Sequence, residues 1–302
     1  MIKKSILILF MLLGLFATYY YRENIIKFVL DKVVSMTEVK LDSNNEYYLS
    51  YNFNYVNPLN EFEIHNKKDL LNLYYTIINN GETEFKFYCP SDYEGCINDV
   101  VSLANNQKEL SNINAFVHPY NSFDQVETVY DSLGRVDLSI IKTYDDEIIK
   151  ILNDKVEEII KSEIKENYTD REKIKAIHDY IINHTVYDKD RTDNNIIKYN
   201  SNTAYGVIFE GYGICSGYSD TMSIFLNYFN IPNFKVTSEN HVWNAVYLDG
   251  KWYHLDLTWD DPILSNGENT LIDTYFLITT SELMELNDSQ HNFDTSIFSE
   301  LA

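Results

Sequence analysis

A single cysteine follows a glycine-containing turn at the start of a predicted helix. Gly211 and Gly213 precede Cys215, and the apolar residues of 216–230 have helical spacing until Pro232 ends the pattern. The first turn of a helix carries partial positive charge and free N–H groups, and both favour a thiolate. Because the thiolate is the nucleophilic form of cysteine, and the same N–H groups can hold an oxyanion, Cys215 is the candidate nucleophile.

A predicted β-hairpin supplies the partners that a thiolate needs. Residues 241–248 and 251–258 are strand-like and are joined by Asp249-Gly250, the two-residue turn that best matches strand twist. The register that this turn sets puts His241 and Asp256 on one face of the sheet, as diagonal neighbours roughly 7–8 Å apart between backbones. A thiolate, a histidine and a carboxylate arranged in this way can act as the nucleophile, the base and the orienting group of a catalytic triad.

Each of these residues also has an ordinary structural interpretation. Cys215 could be a small buried hydrophobe, His241 a core histidine and Asp256 an edge charge, although all three together need a coincidence of helix start, register and face. His254 lies on the same face as His241 and is a rival base. It pairs with Ala245, farther along the hairpin from Asp256, and therefore ranks second.

These motifs closely resemble the transglutaminase-like superfamily. The resemblance covers roughly residues 165–265 and is carried by residues 171–188, by GICSGYS at 213–219 and by HVWNAVYLDGKWYHLDLTWDDP at 241–262. It implies an α+β fold with a papain-like core, in which the nucleophile helix packs on an antiparallel sheet or barrel.

The resemblance also implies roles for individual residues. Cys215 would be the nucleophile, His241 the general base and acid, and Asp256 its orienter. The backbone N–H of Cys215 would be one oxyanion donor, and Tyr205 is the best-placed side-chain candidate for another. The chain has no calcium-site motif, so the calcium dependence of animal transglutaminases is not carried over, and no cofactor is expected.

Charge and composition limit the partners. The chain has 302 residues, of which 45% are hydrophobic, and this globular balance fits one or two domains. The net charge is −22, which argues against nucleic acid because phosphate binding needs clustered lysine and arginine.

The N-terminus has the shape of a secretory signal or membrane anchor. Lys3 and Lys4 precede an apolar run at 6–17 and three tyrosines at 19–21. The cleavage site is poor, which favours an uncleaved anchor in residues 1–22 with the rest of the chain outside the cytoplasm. The alternatives are a cleaved signal, which would make the protein secreted, and a core helix of a soluble protein.

Two further cysteines, Cys89 and Cys96, bracket a short polar loop. They are interpreted either as a disulfide, which suits an exported protein, or as two reduced, buried thiols. A metal site is not expected, because this pair lacks CxxC spacing and Cys215 with His241 does not complete a four-ligand set.

The remaining pattern predicts the domain organisation. Residues 23–145 form a small α+β domain of unknown role, residues 146–164 a connecting helix and residues 165–302 the catalytic domain. Within these parts the pattern predicts strands at 47–55, 84–88 and 135–143 and helices at 68–79, 97–110 and 145–164, with a capped helix from Thr169.

The predicted chemistry is attack on a carboxamide or peptide carbonyl to form a thioester. Water would make the protein a protease or amidase, and an amine would make it a cross-linking transferase. We expect a membrane-anchored, cell-surface enzyme that acts on protein or cell-wall peptide. The alternatives are a non-catalytic adaptor on the same fold, or a docking role for residues 40–145.

Overall fold

The computed structural model describes residues 11, 13–22, 25, 26, 28, 41, 45–59, 63–131, 133–262 and 270–302. Half of the anchor predicted for residues 1–22 lies outside this part, because residues 1–10 and 12 are not described. Among the described residues, no helix is both long enough and apolar enough to span a bilayer. The anchor therefore stays a prediction.

The described residues form α-helices and β-strands that are labelled here in chain order. The helices are α1 Lys67–Asn79, α2 Cys96–Ala104, α3 Gln107–Ala115, α4 Asp146–Glu163, α5 Asp170–His184, α6 Lys189–Asn194, α7 Cys215–Tyr228 and α8 Thr280–Leu286. The strands are β1 Glu84–Tyr88, β2 Phe123–Tyr130, β3 Arg135–Lys142, β4 Val186–Tyr187, β5 Tyr212–Gly213, β6 Asn233–Thr237, β7 Val242–Leu248 and β8 Lys251–Leu255.

The strands form two antiparallel sheets and one short parallel pair. Their orders are β1-β3-β2 and β6-β7-β8, and β4 pairs with β5. The mixed α and β class with antiparallel sheets is confirmed. The predicted hairpin is also confirmed, because Leu248 pairs with Lys251 and Ala245 pairs with His254.

Two predictions for the N-terminal half need correction, and one strand there was missed. The strand predicted at 47–55 is wrong, because Leu49 exchanges both backbone hydrogen bonds with the Asn79 side chain instead of with a strand. The helix predicted at 97–110 is two helices, since Asn106 accepts the N–H of Glu109 and starts α3 afresh. Strand β2 was not predicted, because a register irregularity between Phe123 and Gln125 breaks its alternation.

One hydrophobic core joins the N-terminal half to the last strands and the C-terminus. The buried ring of Phe116 stacks on Phe234 at 5.2 Å and on Phe298 at 5.6 Å between ring centroids. Burying a phenylalanine side chain is worth roughly 1.5–3 kcal/mol. The predicted domain boundary at residue 145 stays a prediction, but the packing of aromatic rings continues across it.

A second core holds the helix that begins at Cys215. Helices α4, α5 and α7 pack together beneath the β7–β8 hairpin. Asp220 on α7 accepts a hydrogen bond from Lys235 at 2.6 Å and one from the hydroxyl of Tyr144 at 2.8 Å. That hydroxyl in turn accepts the backbone N–H of Ala204. A buried and fully bonded carboxylate of this kind fixes α7 against β6 and against the segment that leads into the site.

Candidate active site

The nucleophile candidate lies in the first turn of α7, as predicted. Helix α7 begins at Cys215, and its N-cap residue Ile214 has no side chain that could accept a hydrogen bond from the first turn. The turn is packed so closely that a Cβ on Gly217 would lie 2.3 Å from the carbonyl oxygen of Ser201. The sequence therefore places the thiol beside free helix N–H groups, and glycine is required for the close approach.

The parallel pair β4–β5 holds the residues that precede the cysteine. Tyr187 is the register partner of Gly213, and the N–H of Asp188 donates to the carbonyl of Gly213 at 2.9 Å. Burial, and then the charge of Cys215, raise the pKa of the Tyr187 hydroxyl. Tyr187 therefore lies within electrostatic reach of the sulfur.

The histidine and the aspartate lie just beyond the paired ends of the hairpin strands. The ladder ends where Asn244 pairs with Leu255, so the facing pair predicted for His241 and Thr258 is not formed. The chain turns there because Asp256 accepts the N–H of Thr258 through Oδ1. His241 Nε2 still contacts Asp256 Oδ2 at 2.6 Å, which is the contact that the register predicted.

The remaining nitrogen of His241 faces the thiol. Cys215 is a hydrogen-bond partner of the His241 ring, and Nδ1 is the nitrogen available because Asp256 occupies Nε2. Burial opposes a charge on this ring, but the carboxylate of Asp256 and then Cys215 outweigh it and raise the pKa of His241 to about 10. The geometry thus favours an imidazolium beside the sulfur.

Asp256 is a saturated carboxylate. Besides His241, its Oδ2 contacts His291 Nε2 at 2.9 Å, and its Oδ1 accepts the N–H groups of Thr258 and Trp259. Burial favours the protonated form, but the two histidines outweigh it and hold the pKa of Asp256 well below its usual range. Asp256 is therefore an ionised hydrogen-bond acceptor at the centre of the site.

His291 is the residue of this site that sequence reasoning missed. It lies in the segment after α8, and its Nδ1 contacts both oxygens of Asp288 at 2.8 Å. The sequence offered only an aspartate three residues before a histidine, far from the recognised motifs. Only the fold brings the pair to Asp256.

The other predicted candidates lie elsewhere. The Tyr205 ring packs on Phe209 with centroids 5.1 Å apart, and within the described residues no hydrogen bond links it to Cys215. Its oxyanion role stays a prediction. His254 accepts from Trp243 Nε1 at 2.9 Å, and burial lowers the pKa of His254 to about 3. A neutral histidine bonded in this way does not fit the rival base.

A cavity of about 240 Å³ lies beside the turn that follows Asp256. Its lining includes Tyr187, Thr258, Trp259 and Pro262. The backbone N–H of Thr258 donates to Asp256, so the cavity adjoins one member of the candidate site. It can receive part of a substrate.

Two clusters of the described residues bring three potential metal ligands together. The first is His241, Asp256 and His291, and the second is His178, Asp179 and Asp273. In the first cluster the nitrogens lie 2.6 and 2.9 Å from the oxygen, closer than two ligands sit around one tetrahedral zinc ion. In the second, Lys175 already contacts both carboxylates. We assign both clusters as hydrogen-bonded groups, and the expectation that no metal is needed stays untested.

A comparison with protein-family models shows which superfamily this part of the chain matches. Residues 157–257 match the model of the transglutaminase-like superfamily, and this range contains Cys215, His241 and Asp256. This part of the chain is a transglutaminase-like domain. The resemblance predicted from the motifs is confirmed.

The other comparisons are less extensive. A solved structure described as a TGase is similar at 20% identity, covering 45% of this chain and 44% of that chain, with a TM-score of 0.34. The chain therefore spans less than half the length of that structure. No curated protein matches the chain.

The family match does not contain the whole site. The matched range ends at residue 257, whereas Asp288 and His291 lie beyond it. The segment after α8 therefore adds two charged side chains to a site whose other members lie inside the matched range.

Proposed function

We propose that the chain is a cysteine acyl-transfer enzyme that forms a thioester with a protein or peptide substrate. One observation carries the proposal: Cys215 at a helix start contacts His241, whose other nitrogen lies 2.6 Å from the buried Asp256. These are the nucleophile, base and orienter of covalent acyl transfer.

The geometry supports a two-step reaction. The thiolate of Cys215 attacks the carbonyl carbon, and the free N–H groups of the first α7 turn stabilise the oxyanion. The His241 imidazolium donates its proton to the leaving amine, the C–N bond breaks, and the thioester remains. Neutral His241 then takes a proton from water or from an acceptor amine, which attacks the thioester and releases the thiolate.

We further propose that this reaction takes place at the outer face of the cell membrane on protein or cell-wall peptide. Two features support this placement. Cys89 and Cys96 are joined as a disulfide, and disulfides persist in oxidising compartments. Residues 1–22 carry the signal or anchor pattern.

Activity and acceptor can be tested together. A glutamine-rich protein such as casein is incubated with the enzyme and a fluorescent primary amine, and separately without the amine. Amine incorporation indicates a transferase, whereas ammonia release or peptide fragments without the amine indicate a hydrolase. Cys215→Ala is expected to abolish either signal and to unfold at the same temperature as the parent.

Cys215→Ser is the matched control for this experiment. It keeps the size of the side chain but replaces the sulfur with a weaker nucleophile, so little turnover is expected. Full turnover by either variant would overturn the assignment of the nucleophile. Turnover of no substrate by the parent, with an unreactive Cys215, would favour a binding role for the domain.

A further inference from the structure

Two imidazoles share one carboxylate oxygen in this site. Asp256 Oδ2 lies 2.6 Å from His241 Nε2 and 2.9 Å from His291 Nε2. The far nitrogen of His291 contacts both oxygens of Asp288, which also accepts the N–H of Gln290. The side chains of His241, His291 and Asp256 are almost fully buried, with 3% or less of each exposed.

Proton counting gives the charge of His291. Each of its ring nitrogens faces a carboxylate, and an ionised carboxylate accepts hydrogen bonds but donates none. Burial works against ionisation of Asp256 and Asp288, but their histidine partners outweigh it and keep the pKa of each carboxyl below its usual range. His291 must then donate from both nitrogens, and a ring with two N–H groups is an imidazolium.

Aromatic rings enclose this charge. Tyr275 stacks on the His291 ring at 4.8 Å between centroids with 17° between planes. Trp243 and Trp259 approach His291 at 4.8 and 5.4 Å in edge-on geometry. The face of an aromatic ring within about 6 Å attracts a cation, so the stacked ring of Tyr275 agrees with the proton count.

We propose that His291, held by Asp288, is a positioning residue of the Cys215–His241–Asp256 site, where its positive charge keeps Asp256 ionised and oriented and limits how tightly His241 holds its proton. The proposal rests on the proposed function for its catalytic meaning. It assigns a role to a segment that lies beyond the matched family domain.

The consequence for His241 follows from charge. The rings of His241 and His291 are 5.2 Å apart, so a proton on one disfavours a proton on the other. A general acid that must also serve as a base cannot hold its proton too tightly. The titratable groups that face His291 are Asp256, Asp288, His241, His254 and Tyr275.

Ring-nitrogen NMR of the full chain labelled with ¹⁵N-histidine tests the proposal. In spectra recorded at pH 8, both ring nitrogens of His291 are expected to carry a proton, because each contacts a carboxylate oxygen. Its signals are assigned by their loss in His291→Gln. A neutral His291 ring at this pH would overturn the proposal, whatever the reactivity of Cys215.

The same spectra give the effect on His241. Its titration between pH 7 and 11 is expected to move upward by roughly one pH unit in His291→Gln, because a neighbouring cation is removed. An unchanged or lower midpoint would refute the role. His254→Gln is the matched control, because it makes the same buried substitution beside Trp243 without contacting Asp256, and no shift is expected.

Asp288→Asn keeps the proposal testable should His291→Gln fail to fold. The variant leaves the contact between His291 and Asp256 in place but removes one of the two carboxylates. A neutral fraction of His291 is then expected at pH 8, and a fully protonated ring would contradict the proton count. Alkylation of Cys215 in the same samples reports separately on the proposed function, so failure of one proposal is distinguishable from failure of the other.

Discussion

Replacing Asp256 by asparagine is expected to remove most of the reactivity that Cys215 shows towards alkylating agents below pH 7. The carboxylate is the largest influence that favours a proton on His241, against the opposing effect of burial. An amide carries no charge, and its NH₂ group cannot accept from His241. The ring of His241 is then uncharged near pH 7, and the sulfur loses the adjacent cation.

The size of the expected loss in alkylation rate follows from the pKa of His241 and from the ordinary acidity of a thiol. The rise in the pKa of His241 from 6.5 to about 10 corresponds to about 5 kcal/mol of preference for the imidazolium. Without this partner, a thiol with an ordinary pKa of about 8.5 is only about 0.3% ionised at pH 6. Thiolates of lower pKa are intrinsically less nucleophilic, which offsets part of that difference. The expected net loss of alkylation rate at pH 6 is about tenfold.

The assay is the rate of iodoacetamide alkylation at Cys215, read by peptide mass between pH 5 and 9. The parent and Asp256→Asn are expected to differ most at low pH and to converge near pH 9. Asp261→Asn is the matched control, because Asp261 is a buried carboxyl bonded to Tyr218 and makes no contact with His241. A ratio that is constant across pH, or below about threefold at pH 6, would refute the ion-pair reasoning.

Two predictions concern stability. Gly217→Ala is expected to lower the free energy of unfolding by about 1–3 kcal/mol in urea titration, since its Cβ would lie 2.3 Å from a backbone oxygen; an unchanged midpoint would contradict this packing. Thermal unfolding against pH is expected to show greatest stability near pH 6.5. As pH falls from 6.5 towards 3, the unfolded chain binds protons that His118 and His254, each with its pKa lowered by burial to about 3, do not bind when folded. Asp261, whose pKa burial raises to about 6, offsets part of this loss. As pH rises from 6.5 to 10, the folded state loses the stabilising proton on His241. An unfolding temperature that rose steadily as the pH moved below or above 6.5 would contradict these pKa assignments.

The local part of the site could be predicted from the sequence. A glycine-containing turn and a helical apolar pattern place Cys215 at a helix start, because helix periodicity and breakers act over a few residues. The Asp249-Gly250 turn fixes the hairpin register, and register decides which side chains share a face. These short-range rules bring His241 near Asp256, although the ladder ends at the pair of Asn244 with Leu255 and the turn after Asp256 completes the contact.

The N-terminal half was harder to predict from its pattern. Residues 47–55 alternate like a strand, but both backbone groups of Leu49 bond to the side chain of Asn79, a residue 30 positions away. The break before α3 depends on the capping bond of Asn106, which interrupts an otherwise continuous apolar pattern.

The sequence by itself determined the candidate nucleophile, its helix, the hairpin and the family resemblance, since each depends on residues close together in the chain. The tertiary structure alone decided which groups other than His241 surround Asp256. His291 reaches that carboxylate from 35 residues away, and no periodicity encodes such a contact. Burial then sets the charges of the site, because the environment of a titratable group is made by segments that meet only when the chain folds.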